Sequence, residues 1–183
     1  MKKTSLLIWT VFLLSTSVFS QQENDSLIDP YQRSNEIKIN GLLLLIGAVE
    51  VYYERNLNEA SSLGISAFVP YDNALELNYY VSPYYRVFFG KKYAAGFFLE
   101  GFTMLSSYDN NVLVSTNNNI NVFEEKTATD FAVGIGLGAK WVTKRGFVFE
   151  VNGGFGRNLF NSIDSDEDQL FVGKIGFNLG YRF

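Results

Sequence analysis

From Glu36 onward the chain runs as segments of roughly ten residues in which apolar side chains recur at every second position. That period belongs to a β-strand with two unlike faces, because successive side chains leave a pleated backbone on opposite sides. The last segment shows it most plainly. Phe171, Gly173, Ile175, Phe177, Leu179, Tyr181 and Phe183 share one face; Lys174, Gly176, Asn178, Gly180 and Arg182 share the other. Upstream, Phe147, Phe149, Val151 and Phe155 alternate with Glu150, Asn152, Gly154 and Gly156. Phe131, Val133, Ile135, Leu137 and Trp141 alternate with Gly134, Gly136, Gly138 and Lys140. Ala95 to Leu105 is an apolar strand interrupted by Glu100, and Val81, Pro83, Tyr85, Val87 and Phe89 alternate with Ser82, Tyr84 and Arg86. Leu63 to Val69 is a short strand, and Val49, Val51 and Tyr53 alternate with Glu50, Tyr52 and Glu54. Glu36 to Ile46 opens the set, with Lys38 and Asn40 on its polar face. Eight strands are therefore predicted, and no segment shows a helical period.

The predicted connections alternate in length. Asn58 to Ser61, Gly90 to Tyr93 and Thr143 to Gly146 are tight; Tyr71 to Asn78, Ser107 to Ala128 and Arg157 to Asp168 are long and polar. A short first connection near Gly47 breaks the trend. Tight turns at one end and long loops at the other are the layout of an outer-membrane barrel. Inside the fifth connection, Val112-Leu113-Val114 and Ile120-Asn121-Val122-Phe123 flank the turn-like run Thr116 to Asn119, predicting a hairpin that continues its two strands.

Alternation alone does not say which face is outside, and a soluble lipocalin-like ligand-binding barrel would turn its apolar face inward. The interior of an eight-stranded barrel is just wide enough to be filled by side chains. The glycine-rich polar face fits that space, whereas the large side chains of the apolar face would crowd it. The polar face also carries about one charge per strand, too few for a water-exposed sheet. Lys38, Arg86, Lys140, Lys174 and Arg182 stand against Glu50, Glu54, Glu100 and Glu150. Five positive and four negative groups nearly cancel, as buried charges must, because an unpaired one costs several kcal/mol of desolvation. The reading is an eight-stranded antiparallel transmembrane up-and-down β-barrel with these nine groups as an interior charge network. Phe88, Phe98 and Phe102 add bulk inside.

The start of the chain has a different character. Lys2 and Lys3, the apolar run Leu6 to Leu14 and Val18-Phe19-Ser20 before Gln21 form a signal peptide over residues 1–20. The apolar run is shorter than the roughly 20 residues a spanning helix needs. No cysteine follows, so a lipoprotein anchor is not expected. Residues 21–35 are polar and aperiodic, a flexible periplasmic leader, and the barrel is assigned to residues 36–183. Asp25-Ser26-Leu27 matches a short O-glycosylation signal. Without Lys2 and Lys3 the net charge moves from −4 to −6, which offers no basic surface to nucleic acid.

The chain closes on Phe183, with Tyr181 and apolar residues at every second position before it. Here it resembles outer-membrane barrels, whose terminal aromatic is read by the barrel-assembly machinery; the resemblance makes Tyr181 and Phe183 the assembly signal. In size, strand count and loop layout the chain looks like the small OmpA/OmpX/OmpW-type barrels. It is most similar to a family of short exported barrels of unknown function, through the stretch NEIKINGLLLLIGAVEVYYERNL. The resemblance implies residence in the cell outer membrane, with lipid and lipopolysaccharide as surroundings. The peptidoglycan-binding domain of OmpA has no counterpart here, and cell-wall anchoring is not implied.

Candidate chemistry is thin. There is no histidine, which removes the commonest general base and metal ligand, and no cysteine. Palmitoyl transferases, lipid A deacylases and omptin-like proteases rely on histidine, so no enzyme of those kinds is expected, and no cofactor is called for. The run Asp164-Ser165-Asp166-Glu167-Asp168 lacks the glycine and the glutamate of an EF-hand loop, and reads as a solvated loop tip. The expected role is structural or interaction-related (adhesion or an envelope-complex subunit), with a possible protein partner at residues 107–128. The remaining alternative is a narrow diffusion pore, for which eight strands leave little lumen.

Overall fold

The computed structural model describes residues 33–72, 77–117, 120–160 and 170–183. Eight antiparallel strands close into a barrel in sequence order. They are β1 (Asn35–Asn40), β2 (Ala48–Asn58), β3 (Ser61–Pro70), β4 (Leu77–Lys92), β5 (Ala95–Asn117), β6 (Ile120–Val142), β7 (Phe147–Phe160) and β8 (Phe171–Arg182). Each strand pairs with its neighbours in sequence, and β1 pairs with β8 through Glu36↔Arg182, Lys38↔Gly180 and Asn40↔Asn178. The signal peptide, the Asp25-Ser26-Leu27 match and the acidic run at residues 164–168 lie outside the described residues.

The period of two places the side chains as the sequence predicts. The face bearing Lys38, Glu54, Arg86, Lys140 and Glu150 is fully buried inside, while Phe97, Leu137 and Ile175 on the other face are 71%, 66% and 63% exposed. Along Leu63–Val69, Val81–Phe89, Phe97–Leu105, Val133–Trp141 and Phe171–Phe183 the outward positions carry no charged side chain. A continuous apolar exterior of this extent is far beyond the few hundred Å² that a soluble monomer tolerates. It is the reverse of a lipocalin calyx and the arrangement of a barrel built to stand in lipid. Outward aromatics gather toward the two ends, with Phe89, Phe97, Trp141, Phe147 and Phe183 near the tight turns and Tyr71, Tyr79 and Phe171 near the long connections.

Three elements depart from the sequence expectation. The first strand stops at Asn40, and Gly41–Ile46 form a short helix, α1. The run Gly-Leu-Leu-Leu-Leu-Ile has no polar second face, so it cannot continue a strand whose inner side faces charges. Asn40 caps the helix by accepting from the Leu42 and Leu43 amides, and Gly47 ends it with φ 109°, a left-handed turn favourable to glycine. The first connection is thus seven residues, 41–47, at the same end as the other connections expected to be long. The second tight turn lies at Tyr93–Ala94, two residues later than the centre of the expected one, because Gly90 to Lys92 still belong to β4. The fifth connection is strand for most of its length. β5 and β6 remain paired from Gly96↔Lys140 to Asn117↔Ile120, with one register shift between Leu113 and Ser115. The predicted hairpin is present, and longer than expected.

Glu100 does not interrupt β5. Phe98, Glu100, Phe102 and Met104 are successive inward positions, each buried. Their bulk is accommodated by glycine on the neighbouring strand, where Gly138 pairs with Phe98 and Gly134 with Phe102. A Cβ on Gly134 would stand 2.3 Å from Phe102 Cζ, and one on Gly138 2.5 Å from Phe98 Cζ.

Candidate functional site

The polar lumen is the site that the sequence singled out. Lys38 Nζ donates to Glu54 and Glu150, at 2.5 and 2.6 Å. Arg86 donates through Nε to Glu100 at 2.8 Å and through Nη1 to Glu54 and Glu150 at 2.7 and 2.8 Å. Lys140 bridges Glu36 and Glu54 at 3.0 and 2.5 Å, and Lys174 reaches Glu100 at 3.0 Å. Arg182 Nε donates to Glu36 at 2.7 Å. Rings take part as well. The Arg86 guanidinium lies 4.3 Å from the ring centres of both Tyr84 and Phe98, and Lys140 Nζ lies 4.6 Å from that of Phe88. Such contacts add to the ion pairs where water is excluded.

Eight of the nine predicted network residues are joined in this way. Glu50 is the exception. It is buried, but it accepts from Asn40 Nδ2 at 2.9 Å and from the Tyr80 hydroxyl at 2.6 Å, with no lysine or arginine within ion-pairing distance among the described residues. Its place among the expected partners of Lys and Arg is therefore corrected to a hydrogen-bonded carboxylate. Register accounts for its surroundings: Glu50 sits opposite Phe68, which pairs with Tyr80, whereas Lys38 lies opposite Tyr52 and Arg86 opposite Ser62.

Sequence reasoning missed Glu36. It shares the inner face of β1 with Lys38, is fully buried, and holds Arg182 and Lys140. The alternation contains that signal, since Glu36 and Lys38 are two residues apart, but Glu36 stands at the start of the predicted strand. With Glu36 included and Glu50 set aside, four carboxylates, Glu36, Glu54, Glu100 and Glu150, hold the five cations. Asp130 was missed too. It accepts from the Tyr108 hydroxyl at 2.7 Å and from Asn158 Nδ2 at 3.1 Å, toward the long-connection end.

At the chain's end, Phe183 exchanges backbone hydrogen bonds with Asn35, at 2.8 and 3.1 Å, and is half-exposed. Tyr181 accepts from Arg33 at 3.0 Å and meets Phe147 edge-on at 5.8 Å. Two apertures accompany the barrel. A cavity of about 370 Å³ opens at the long-connection end beside Phe68, Tyr80, Met104 and Tyr108. An outer groove of about 480 Å³ lies among Leu99, Ile135, Leu137 and Phe155. The outer groove is also lined by Glu100 of the charged layer, between Gly136 and Gly154. No group of histidine, cysteine and carboxylates fit to hold a metal ion occurs among the described residues.

These features define an eight-stranded antiparallel barrel with an ion-paired, side-chain-filled lumen and an apolar exterior. The chain belongs to the family described as "Protein of unknown function (DUF3575)", whose pattern matches residues 7–170. Among solved structures it is similar to the N-terminal β-barrel domain of OprF from Pseudomonas aeruginosa, at 16% identity over 83% of this chain and 98% of that one, with a TM-score of 0.49. No curated protein matches it.

Proposed function

We propose that the protein is an integral outer-membrane barrel with a structural or interaction role and no catalysis. One observation carries this reading: charges fill the barrel while apolar side chains cover its outside. Lipid is the solvent that makes such a distribution favourable, since each large apolar side chain left in water forfeits about 1.5–3 kcal/mol. The strand ends would then set the orientation, with tight turns in the periplasm and long connections outside. Terminal Phe183 and Tyr181 would serve the barrel-assembly machinery, and outer-leaflet lipopolysaccharide would surround the long-connection end.

The interaction role attaches to the β5–β6 hairpin. Beyond the pairing of β5 with β4 at Tyr108 and of β6 with β7 at Phe131, the hairpin has no further strand beside it among the described residues. Its free edges suit strand addition by a partner. Deleting residues 112–123 is expected to leave a folded barrel but abolish recovery of envelope partners by cross-linking; unchanged recovery removes the partner proposal. For the membrane reading, the reconstituted protein is expected to migrate on a gel as a compact form that shifts after boiling, and to remain in the outer-membrane fraction after alkaline washing. Recovery in the wash overturns it. A lumen occupied by Arg86, Lys38, Phe98 and Phe102 argues against a diffusion pore, and planar-bilayer recording is expected to give no steady conductance.

A further inference from the structure

The three described turns at the tight-turn end are built differently. Glu59 and Ala60 between β2 and β3 are exposed, as are Thr143, Lys144 and Arg145 between β6 and β7. The turn between β4 and β5 instead folds inward. Ala94 is fully buried against Phe88 and Phe98, and its φ of 41° is a left-handed conformation that a residue with a Cβ adopts only when its surroundings hold it there. Two contacts do so. The Ala94 amide donates to the Glu59 carbonyl at 2.8 Å. Arg182, from the far side of the barrel, donates through Nη1 to the Tyr93 carbonyl at 2.9 Å and through Nη2 to the Ala94 carbonyl at 2.7 Å.

Arg182 is placed for this by the closing seam. It lies opposite Glu36 in the β1–β8 register, and Glu36 accepts from its Nε. The other Glu36 oxygen accepts from Lys140 at 3.0 Å, which fixes the carboxylate. The guanidinium therefore meets Glu36 through Nε and Nη2, the latter at 2.6 Å, and the turn through Nη1 and the shared Nη2, a fork geometry that an ammonium cannot reproduce.

We propose that Arg182 is a latch holding the β4–β5 turn as a lid beneath the charged layer, and that the latch is complete only once β8 has closed on β1. The lid keeps water from the ion pairs above it, and Arg182 on the closing strand β8 couples that seal to barrel closure. Arg182 is thus a positioning residue for the turn. Closure of the last seam and closure of this end are one event.

Limited trypsin digestion of the folded barrel in lipid vesicles tests this, because Lys91 and Lys92 precede the turn and are exposed, while Lys144 and Arg145 provide an internal reference in a turn that Arg182 meets through its backbone amide and not its side chain. Proteolysis of a locally opening segment follows the population of its open form. Arg182→Ala removes two charge-assisted hydrogen bonds to the turn, and cleavage after Lys91 or Lys92 is expected to rise at least about tenfold relative to cleavage after Lys144 or Arg145. Arg182→Lys, which keeps the charge beside Glu36 but not the fork, is expected to fall between. Gly90→Ala, whose Cβ would lie 2.6 Å from the Ala95 carbonyl oxygen, displaces the turn with Arg182 intact and calibrates the cleavage of an opened lid. Arg182→Lys decides the matter if Arg182→Ala does not fold. Ratios equal to wild type in folded variants, or an equal rise at both turns, overturn the latch.

Discussion

The two halves of the lumen wall are built from opposite materials. Strands β4 and β5 send Tyr80, Tyr84, Phe88, Phe98 and Phe102 inward, together with Arg86 and Glu100. Strands β6, β7 and β8 answer with Gly134, Gly136, Gly138, Gly154, Gly156, Gly176 and Gly180, and place their charges, Lys140, Glu150, Lys174 and Arg182, between them. The difference teaches how so narrow a barrel accepts large rings. A uniform lining of medium side chains would leave gaps around the charged groups, whereas long side chains from one wall lie directly on the bare backbone of the other. The ion pairs then form in the space that remains, with the aromatic faces of Tyr84 and Phe98 against the Arg86 guanidinium.

Breaking the bulky wall at its charge is expected to do most damage. Arg86→Ala leaves Glu54, Glu100 and Glu150 each short of a partner in the barrel centre. Uncompensated buried charge of this kind costs about 3–5 kcal/mol. The midpoint of denaturant unfolding in vesicles, followed by Trp141 fluorescence, is expected to fall accordingly.

The glycine wall is sharpened by a smaller change. Gly134→Ala drives a methyl group into the Phe102 ring and to 2.7 Å from the Phe155 carbonyl oxygen, and is expected to cost about 1–3 kcal/mol through overpacking. The same substitution on a Phe102→Ala background should cost at least about 1 kcal/mol less, because neighbours in contact couple. Equal costs on both backgrounds would show that ring and glycine do not meet. The smallest effect belongs to the outside of the same strands. Gly101 and Gly173 face outward, and a Cβ on either meets nothing within 4 Å. Gly101→Ala and Gly173→Ala are expected to stay within about 0.5 kcal/mol of wild type. A loss as large as that of Gly134→Ala would mean that glycine is demanded by the strand itself and not by the lumen.

Much of this was readable from single positions. The inner face of every strand follows from parity, so Lys38, Glu54, Arg86, Lys140, Glu150, Lys174 and Arg182 were correctly placed inside before any partner was known. Glu36 escaped because a strand's first residue has no alternation on one side to confirm it. The helix α1 escaped because an unbroken apolar run has no period at all, and its cap, Asn40, reads equally well as the polar position of a strand. Parity likewise marks Glu50 as interior, but not which interior groups it meets, which are Asn40 and Tyr80.

Sequence by itself determined strand number, the two faces and the apolar exterior, because these follow from local stereochemistry and the cost of leaving charge unpaired. Only the tertiary structure decided who pairs with whom across the lumen. Lys38 meets Glu150, Lys174 meets Glu100 and Arg182 meets the turn at Ala94, and none of these pairs consists of ladder neighbours. Such contacts depend on how far the strands are staggered when the barrel closes, and on which wall yields the space. Stagger is set by all eight pairings together, and no one segment of the chain carries it.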